Sequence, residues 1–311
     1  MNQKVSAVIV TFNRLTLLKE VIESLKQQET TISHLIVVDN ASESDTQSYL
    51  ESLGSQIEYV RLPNNIGGAG GFNAGIRYFM AHTSDDFVWL MDDDTVPQSD
   101  TLSQLLAFSN VKKHFGFLAS DVRWTDGHRA LMNRPAPMNR LKKVPEDLTE
   151  PIQVQNATFV SLLMRRSVVK QIGLPITDFF IWGDDIEYTE RAARVAPGYF
   201  VPSAKVVHKM ATNVGSSLLN DVSERTPRYF YSYRNKVYYA RKRDSYRKYR
   251  AFLRIFLEYL QIKFSRTERK QEKLSTLKRG VSAGCRFNPN IEFADDFNDN
   301  TTNSEELSWK K

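Results

Sequence analysis

The chain has 311 residues, of which 41% are hydrophobic and 25% charged, with a formal net charge of +6. That length holds one large α/β domain, or a domain of about 200 residues with a smaller one beside it. A single cysteine, Cys285, excludes an intrachain disulfide, and no run reaches the roughly 18 apolar residues of a membrane span. The first apolar run is too short for a signal peptide and reads as a strand, so the expected location is the cytoplasm.

Val5–Val10 is predicted as a strand ending in Thr11-Phe12-Asn13-Arg14, and Leu15–Gln28 as a helix from the spacing of Leu17, Leu18, Val21, Ile22 and Leu25. Leu35–Val38 is a second strand closing on Asp39-Asn40-Ala41-Ser42, Thr46–Leu53 a second helix, and Ile57–Arg61 a third strand. Strand–helix alternation at this spacing implies a parallel sheet with right-handed crossovers. Ligands bind beyond the carboxyl ends of such strands. Thr11–Arg14 and Asp39–Ser42 are therefore candidates to line one crevice. Asp39 can accept from a nucleotide's base or ribose, or it can cap its own turn.

Asn64–Arg77, N-N-I-G-G-A-G-G-F-N-A-G-I-R, reads as a glycine-rich loop opening a helix over Ala74–Met80, where the backbone can approach a ligand closely. A dinucleotide fold would carry its glycines at the first strand–helix turn, and here that turn has none. Phe87–Met91 is a strand buried on both faces that ends in Asp92, Asp93 and Asp94 and then a turn signal, Thr95–Pro97. Adjacent carboxylates at a strand end either gather a cation or form a solvated acidic turn. Asp92 and Asp94, at i and i+2, can share one divalent ion whose remaining positions take phosphate oxygens.

Thr101–Asn110 is a helix and Phe115–Ala119 a strand. Asp126–Glu150, with three prolines, is long enough for a mobile or functional loop. Asn156–Met164 reads as one strand and Arg166–Ile172 as a helix stopped by Gly173. Asp178–Arg191, D-F-F-I-W-G-D-D-I-E-Y-T-E-R, runs an aromatic wall into Asp184 and Asp185 with a helix from Ile186. Burial raises such a carboxylate's pKa and the helix dipole lowers it, leaving a base ionised near neutrality. One of the pair can instead cap the helix. Tyr199–Pro202 and Val206–Val207 are short strands, and His208 after them is either a structural residue or a metal ligand.

Beyond Asn213 the character changes. Pro227–Arg243 is dense in Tyr and Arg, and Phe252–Phe264 is a helical apolar stretch flanked by Lys and Arg. This basic amphipathic segment either lies on an anionic membrane surface or docks Leu253, Phe256, Leu257 and Leu260 on the catalytic domain. No nucleic-acid-binding motif is evident. The expected organisation is a catalytic domain over 1–215, a helical basic extension over 216–287 and a frayed polar tail over 288–311.

Taken together, V-I-V-T-F-N-R (Val8–Arg14), V-V-D-N-A-S (Val37–Ser42), the glycine run, the D-D-D strand end and W-G-D-D-I-E-Y (Trp182–Tyr188) resemble the family 2 glycosyltransferases of GT-A fold. The resemblance spans about residues 4–240. It is greatest to bacterial galactofuranosyltransferases, then to polysaccharide rhamnosyltransferases, both of which share Y-x-Y-R-N (Tyr231–Asn235). It implies a Rossmann-like, mostly parallel central sheet with flanking helices. It also implies an inverting transferase that uses a nucleotide-sugar donor, UDP-galactofuranose first and dTDP-rhamnose as the alternative. The acceptor it implies is a glycan or lipid-linked glycan, at the inner face of the plasma membrane.

By the same resemblance, Thr11, Phe12, Asn13, Arg14 and Asp39 hold the base and ribose. Asn65, Gly70, Gly71 and Asn73 form the loop near the donor, and Asp93 joins the nucleotide-binding set. Asp92, Asp94 and His208 hold Mn²⁺ or Mg²⁺. Asp185 is the catalytic base, with Asp184 beside it on the acceptor's hydroxyls. The chain departs from the galactofuranosyltransferase pattern at Gly183, which separates Trp182 from the acids, and at Asn156–Phe159, which replaces a tryptophan-rich segment. Two other classes use related parts: a nucleotidyltransferase, and a non-catalytic sugar-nucleotide-binding protein.

Overall fold

The computed structural model describes residues 3–138 and 143–294. Three strands, β1 (Val5–Thr11), β2 (His34–Asp39) and β3 (Glu58–Arg61), alternate with helices α1 (Leu15–Lys26) and α2 (Ser44–Ser52). α3 (Gly67–His82) leads to β4 (Phe87–Asp92) and the short β5 (Thr95–Pro97), followed by α4 (Thr101–Val111) and β6 (Phe117–Arg123). The second half holds β7 (Ala136–Pro137), β8 (Ile152–Asn156), β9 (Leu162–Arg165), α5 (Arg166–Ile172), α6 (Asp184–Ala193) and β10 (Gly198–His208). Three helices follow: α7 (Tyr229–Arg241), α8 (Ser245–Phe264) and α9 (Lys270–Arg286).

The strands form one mixed sheet in the order β3-β2-β1-β4-β9-β6-β10-β8-β7, with β5 added on β10. β3-β2-β1-β4 is parallel, while β9 runs antiparallel between β4 and β6. The chain leaves β1 toward β2 on one side and returns as β4 on the other. β1 and β4 therefore flank the switch point of the sheet, where α/β folds open their ligand crevice. Strand periodicity sorts the core into two layers. Val8 and Val10 of β1 face α3 and α6 through Phe72, Ile76, Phe79 and Tyr188. Ala7 and Ile9 face α1 and α4 through Leu18, Val21, Ile22, Leu102 and Leu105.

Four sequence expectations change. The glycine run is helical, not a loop, because its glycines admit close helix–sheet packing. A Cβ on Gly71 would lie 2.4 Å from Cγ1 of Val10, and one on Gly75 2.4 Å from Cγ1 of Val8. The predicted strand Asn156–Met164 is two strands, β8 and β9, pairing in different parts of the sheet, with Ser161 at φ 61° in the bend between them. The two short strands after Tyr199 are one, β10, carrying an irregularity between Val201 and Lys205. The turn signal at Thr95–Pro97 is β5, which pairs antiparallel with Val206–His208.

The C-terminal helices share a core of their own around Tyr233, Val237, Ile255, Ile262 and Leu277. The expected frayed tail is tied down at its start. Leu174 N donates to Glu292 O (2.8 Å), and Glu292 Oε2 accepts from Asn73 (2.7 Å) and Arg77 (2.9 Å). Residues 295–311 of that tail lie outside the described residues.

Gly71→Ala is expected to push α3 off β1 and destabilise the fold by about 1–3 kcal/mol, as overpacking does. Adding Val10→Ala should recover part of that loss. Denaturant melts of the single and double variants measure both, and a Gly71→Ala chain as stable as the parent would contradict this packing.

Candidate active site

The crevice forms at the carboxyl ends of β1 and β4, where Val10 pairs with Asp92 in register. The chain turns at Asp93 and Asp94 to enter β5, so the three acids diverge. Asp93 turns back to β1: its Oδ2 accepts from the Thr11 hydroxyl (2.7 Å) and Phe12 N (3.3 Å). Asp92 and Asp94 turn the other way and meet His208. One donor atom from each of the three lies within 4.8 Å of the others. The β5–β10 pairing creates this meeting, because it sets His208 opposite Thr95, the residue after Asp94.

Two further details bear on whether a cation fits here. Asn133 Oδ1 lies 2.8 Å from His208 Nδ1 and, as an acceptor, assigns the ring proton to Nδ1. Nε2 then points a lone pair at Asp94 Oδ1, 2.8 Å away. That oxygen is buried and makes no hydrogen bond. Two electron-rich atoms so close, one of them an orphaned buried carboxylate oxygen, fit the donor set of a divalent ion.

The electrostatics agree. Burial, and next the charge of Asp94, push Asp92 up to about 7. Burial pushes Asp93 up to about 6 against the pull of Arg14. Burial acts on Asp94 as well, but positive charge beside it, on His208 when both ring nitrogens carry protons and on Arg14, outweighs it and holds that carboxyl below its usual range. Arg14 Nη1 reaches Asp94 Oδ2 at 2.5 Å and Asp93 Oδ1 at 3.4 Å.

Across the crevice, Asp184 and Asp185 open α6. Gly183, at φ 87°, supplies the left-handed residue before them. Burial raises Asp184 well above the usual carboxylate range, with the charge of Asp185 next and that of Asp92 contributing, so the start of α6 faces the end of β4. Burial also raises Asp185, but backbone N–H groups at the helix start, Ile186 first, restrain it to about 6. Of the two, Asp184 is therefore the harder to ionise and Asp185 the one whose carboxylate form the helix start supports.

The other expected site residues divide. Phe12 is exposed, and Asn13 and Arg14 line a cleft of about 430 Å³ with Glu43, Asp45 and Thr46. Asn65 is exposed, and its Oδ1 accepts from Gly67 N (2.9 Å) at the start of α3. Asp39 is fully buried. Its oxygens accept from Ser42 N (2.8 Å), the Tyr59 hydroxyl (2.9 Å) and Arg61, so it fills the turn-capping role and turns no acceptor to the crevice. Gly70, Gly71 and Asn73 lie inside α3 rather than on a donor loop. Asn73 Nδ2 donates to Pro175 O (2.7 Å) on the far side of that helix.

Three asparagines have contacts that the sequence did not assign to them. Asn133 orients His208. Asn40 ties the end of β2 to α3, through Gly67 O and Ile66 N, both at 2.9 Å. Asn235 holds the turn before Asp184. Asn40 lies in the Asp39–Ser42 stretch and Asn235 ends Y-x-Y-R-N, while Asn133 gave no signal.

A crevice at the switch point of a mixed sheet, with carboxylates on both walls, is the GT-A arrangement. The sequence profile of glycosyl transferase family 2 matches residues 6–173. The chain belongs to that family and is a glycosyltransferase. Galactofuranosyltransferase GlfT1 of Mycolicibacterium smegmatis is 26% identical over 253 residues, 75% of this chain and 82% of that relative. Among solved structures, S. aureus TarS 1–349 in complex with UDP superposes with a TM-score of 0.53 at 15% identity, over 90% of this chain and 72% of that one. The mannosyltransferase PcManGT from Pyrobaculum calidifontis, in complex with GDP-Man and Mn²⁺, superposes with a TM-score of 0.53 at 13% identity, over 92% of this chain and 74% of that one.

The raised pKa of Asp184 has a consequence for stability. A carboxyl whose pKa is higher folded than unfolded favours the folded state at low pH, and that contribution is lost as pH rises. Asp184→Asn should therefore raise the Tm at pH 8 and leave it nearly unchanged at pH 3.5. A Tm difference independent of pH would show that Asp184 is not held protonated.

Proposed function

We propose that this glycosyltransferase moves galactofuranose from UDP-galactofuranose onto a hydroxyl of a lipid-linked cell-surface glycan, with inversion at the anomeric carbon. The observation that carries the catalytic part is the pairing of two walls: Asp92, Asp94 and His208 on one, and Asp184 and Asp185 on the other. The donor assignment is supported by the similarity to a galactofuranosyltransferase over most of both chains. A dTDP-rhamnose donor is the second reading, left open by Gly183 and Asn156–Phe159, where the galactofuranosyltransferase pattern breaks.

Asp92, Asp94 and His208 would hold the cation. Two carboxylates with an imidazole suit Mn²⁺ better than Mg²⁺. When bound, the ion supplies charge neutralisation for the diphosphate as it leaves. Thr11, Phe12, Asn13 and Arg14 are assigned to the nucleotide, with Arg14 free to move from Asp94 to a phosphate. Asp185 takes the proton of the acceptor hydroxyl as that oxygen bonds to C1 and the C1–O bond to the diphosphate breaks. Asp184, protonated, donates a hydrogen bond to a sugar hydroxyl. No covalent enzyme intermediate is required.

The test is nucleoside-diphosphate release (UDP or dTDP, according to the donor) by the full chain with Mn²⁺ and a lipid-diphosphate acceptor, screening UDP-galactofuranose, dTDP-rhamnose, UDP-glucose and UDP-galactose. UDP-galactofuranose should be consumed, and EDTA should stop the reaction. Asp185→Asn should lose roughly 10²–10⁴ in rate, the range for general-base catalysis. The parent's kcat/KM should climb with pH to a plateau above about 6, where Asp185 is ionised. Turnover of dTDP-rhamnose alone would replace the donor, and full activity in EDTA would remove the metal.

We further propose that α8 holds the enzyme on the anionic inner leaflet. Among the described residues no helix is long and apolar enough to cross a membrane. On α8 only Ile255 and Ile262 are buried. Tyr246, Tyr249, Leu253, Phe256 and Phe264 recur at helical spacing along an exposed stripe, with Phe256 54% and Phe264 76% exposed. This favours the membrane over docking on the catalytic domain, since Leu253, Phe256 and Leu257 face outward. Exposed Arg247, Lys248, Arg250, Arg254 and Lys263 accompany the stripe, each worth about 1 kcal/mol near such a surface. The protein should pellet with anionic but not neutral liposomes, and less so at high salt. Absence from both pellets would leave the stripe without this role.

A further inference from the structure

α7 follows the catalytic domain in sequence, yet it grips the turn that carries the two acids. Asn235 is fully buried. Its Nδ2 lies 3.0 Å from Phe179 O, 3.1 Å from Ile181 O and 2.8 Å from Trp182 O. Two N–H donors thus serve three carbonyls turned inward by one short segment. A buried carbonyl without a donor costs about 1–3 kcal/mol, so an apolar residue of similar shape cannot substitute.

The segment also needs holding. Phe180 (φ 61°) and Trp182 (φ 65°) are non-glycine residues in the left-handed region, followed by Gly183 at φ 87°. Each such residue costs of order 1–3 kcal/mol and persists only where its surroundings over-determine it. Most of those surroundings come from α7. Phe180 stacks on Tyr231 at 4.9 Å, and Trp182 packs on Tyr229 at 4.9 Å. Arg234 donates to Asp178 O and to Phe179 O. A Cβ on Gly183 would come within 3.0 Å of Tyr239 Cε1. α3 takes the opposite side, with Ala69 N donating to Phe180 O at 3.2 Å.

We propose that Asn235 is a positioning residue for sugar transfer: its amide fixes the Phe179–Gly183 turn in the shape that presents Asp184 and Asp185 to the crevice. This rests on the reading of Asp185 as the base. The charged and titratable groups facing Asp185 are Asp184 on its own helix and Tyr239 from α7, with the Arg243–Glu190 pair behind Tyr239. Burial keeps Asp185 near 6, and a turn released by α7 lets water in, returning it toward the ordinary carboxylate value of about 4.

The test compares the full parent chain with Asn235→Ala, Asn235→Gln and Asp185→Asn, using the donor found in the screen. Asn235→Ala should lower kcat at least tenfold while leaving donor KM and UDP affinity within about twofold. It should also move the acid limb of the pH profile to lower pH, and Asn235→Gln, which keeps the amide, should recover part of both. A merely structural role would lower the Tm and the amount of active enzyme but leave the acid limb where it was, and that result overturns the proposal. So does an unchanged kcat. If Asn235→Ala does not fold, Asn235→Ser, which retains one donor, carries the same comparison. An inactive Asp185→Asn beside a normal Asn235→Ala refutes the positioning role alone; an active Asp185→Asn refutes the base.

Discussion

Three carboxylates must be kept out of bulk water at the end of one strand, and the crevice is the solution to that problem. Two unit charges 4 Å apart repel by about 4 kcal/mol at an effective dielectric of 20, and burial adds to the cost. The surroundings answer acid by acid. Asp93 is satisfied by the hydroxyl and backbone of the β1 end. Asp94 is held by Arg14 on one oxygen and faces His208 with the other. Asp92, next to Asp94 and half-buried, is left with a raised pKa. What remains, an orphaned Asp94 oxygen and Asp92 within reach of the His208 ring, has the donor set of a divalent cation.

The opposite wall obeys a different constraint. Asp184 and Asp185 are adjacent, and burial raises both, Asp184 further. Backbone N–H groups at the helix start, Ile186 first, restrain Asp185, while at Asp184 the charges of Asp185 and then Asp92 add to burial. That division depends on the strained turn before the helix. The turn in turn depends on α7, a helix from outside the stretch matched by the family profile. The turn that carries Asp184 and Asp185 is therefore packed as one unit with α7, while α8 leaves its aromatic and basic face to the outside.

Much of this was legible in the chain itself. Period-two and period-3.6 patterns located most elements, because each buries one continuous face. The D-D-D strand end and the W-G-D-D turn were visible as chemistry because clustered acids have few structural uses. What the sequence left open was decided by pairing between distant segments. The glycine run reads equally as a ligand loop or a close-packed helix, and only the approach of α3 to Val8 and Val10 selects the helix. Asp39 reads equally as a ligand-binding acid or a turn cap; Ser42 N takes the capping oxygen, and Arg61, directly across on β3, takes the other. His208 joins Asp94 only because β5 pairs with β10, and Asn133 and Asn235 act only through contacts 75 and more than 50 residues distant. Local propensity is written residue by residue, but a shared ion or a carbonyl's donor is a property of positions that only the folded sheet brings within 3 Å.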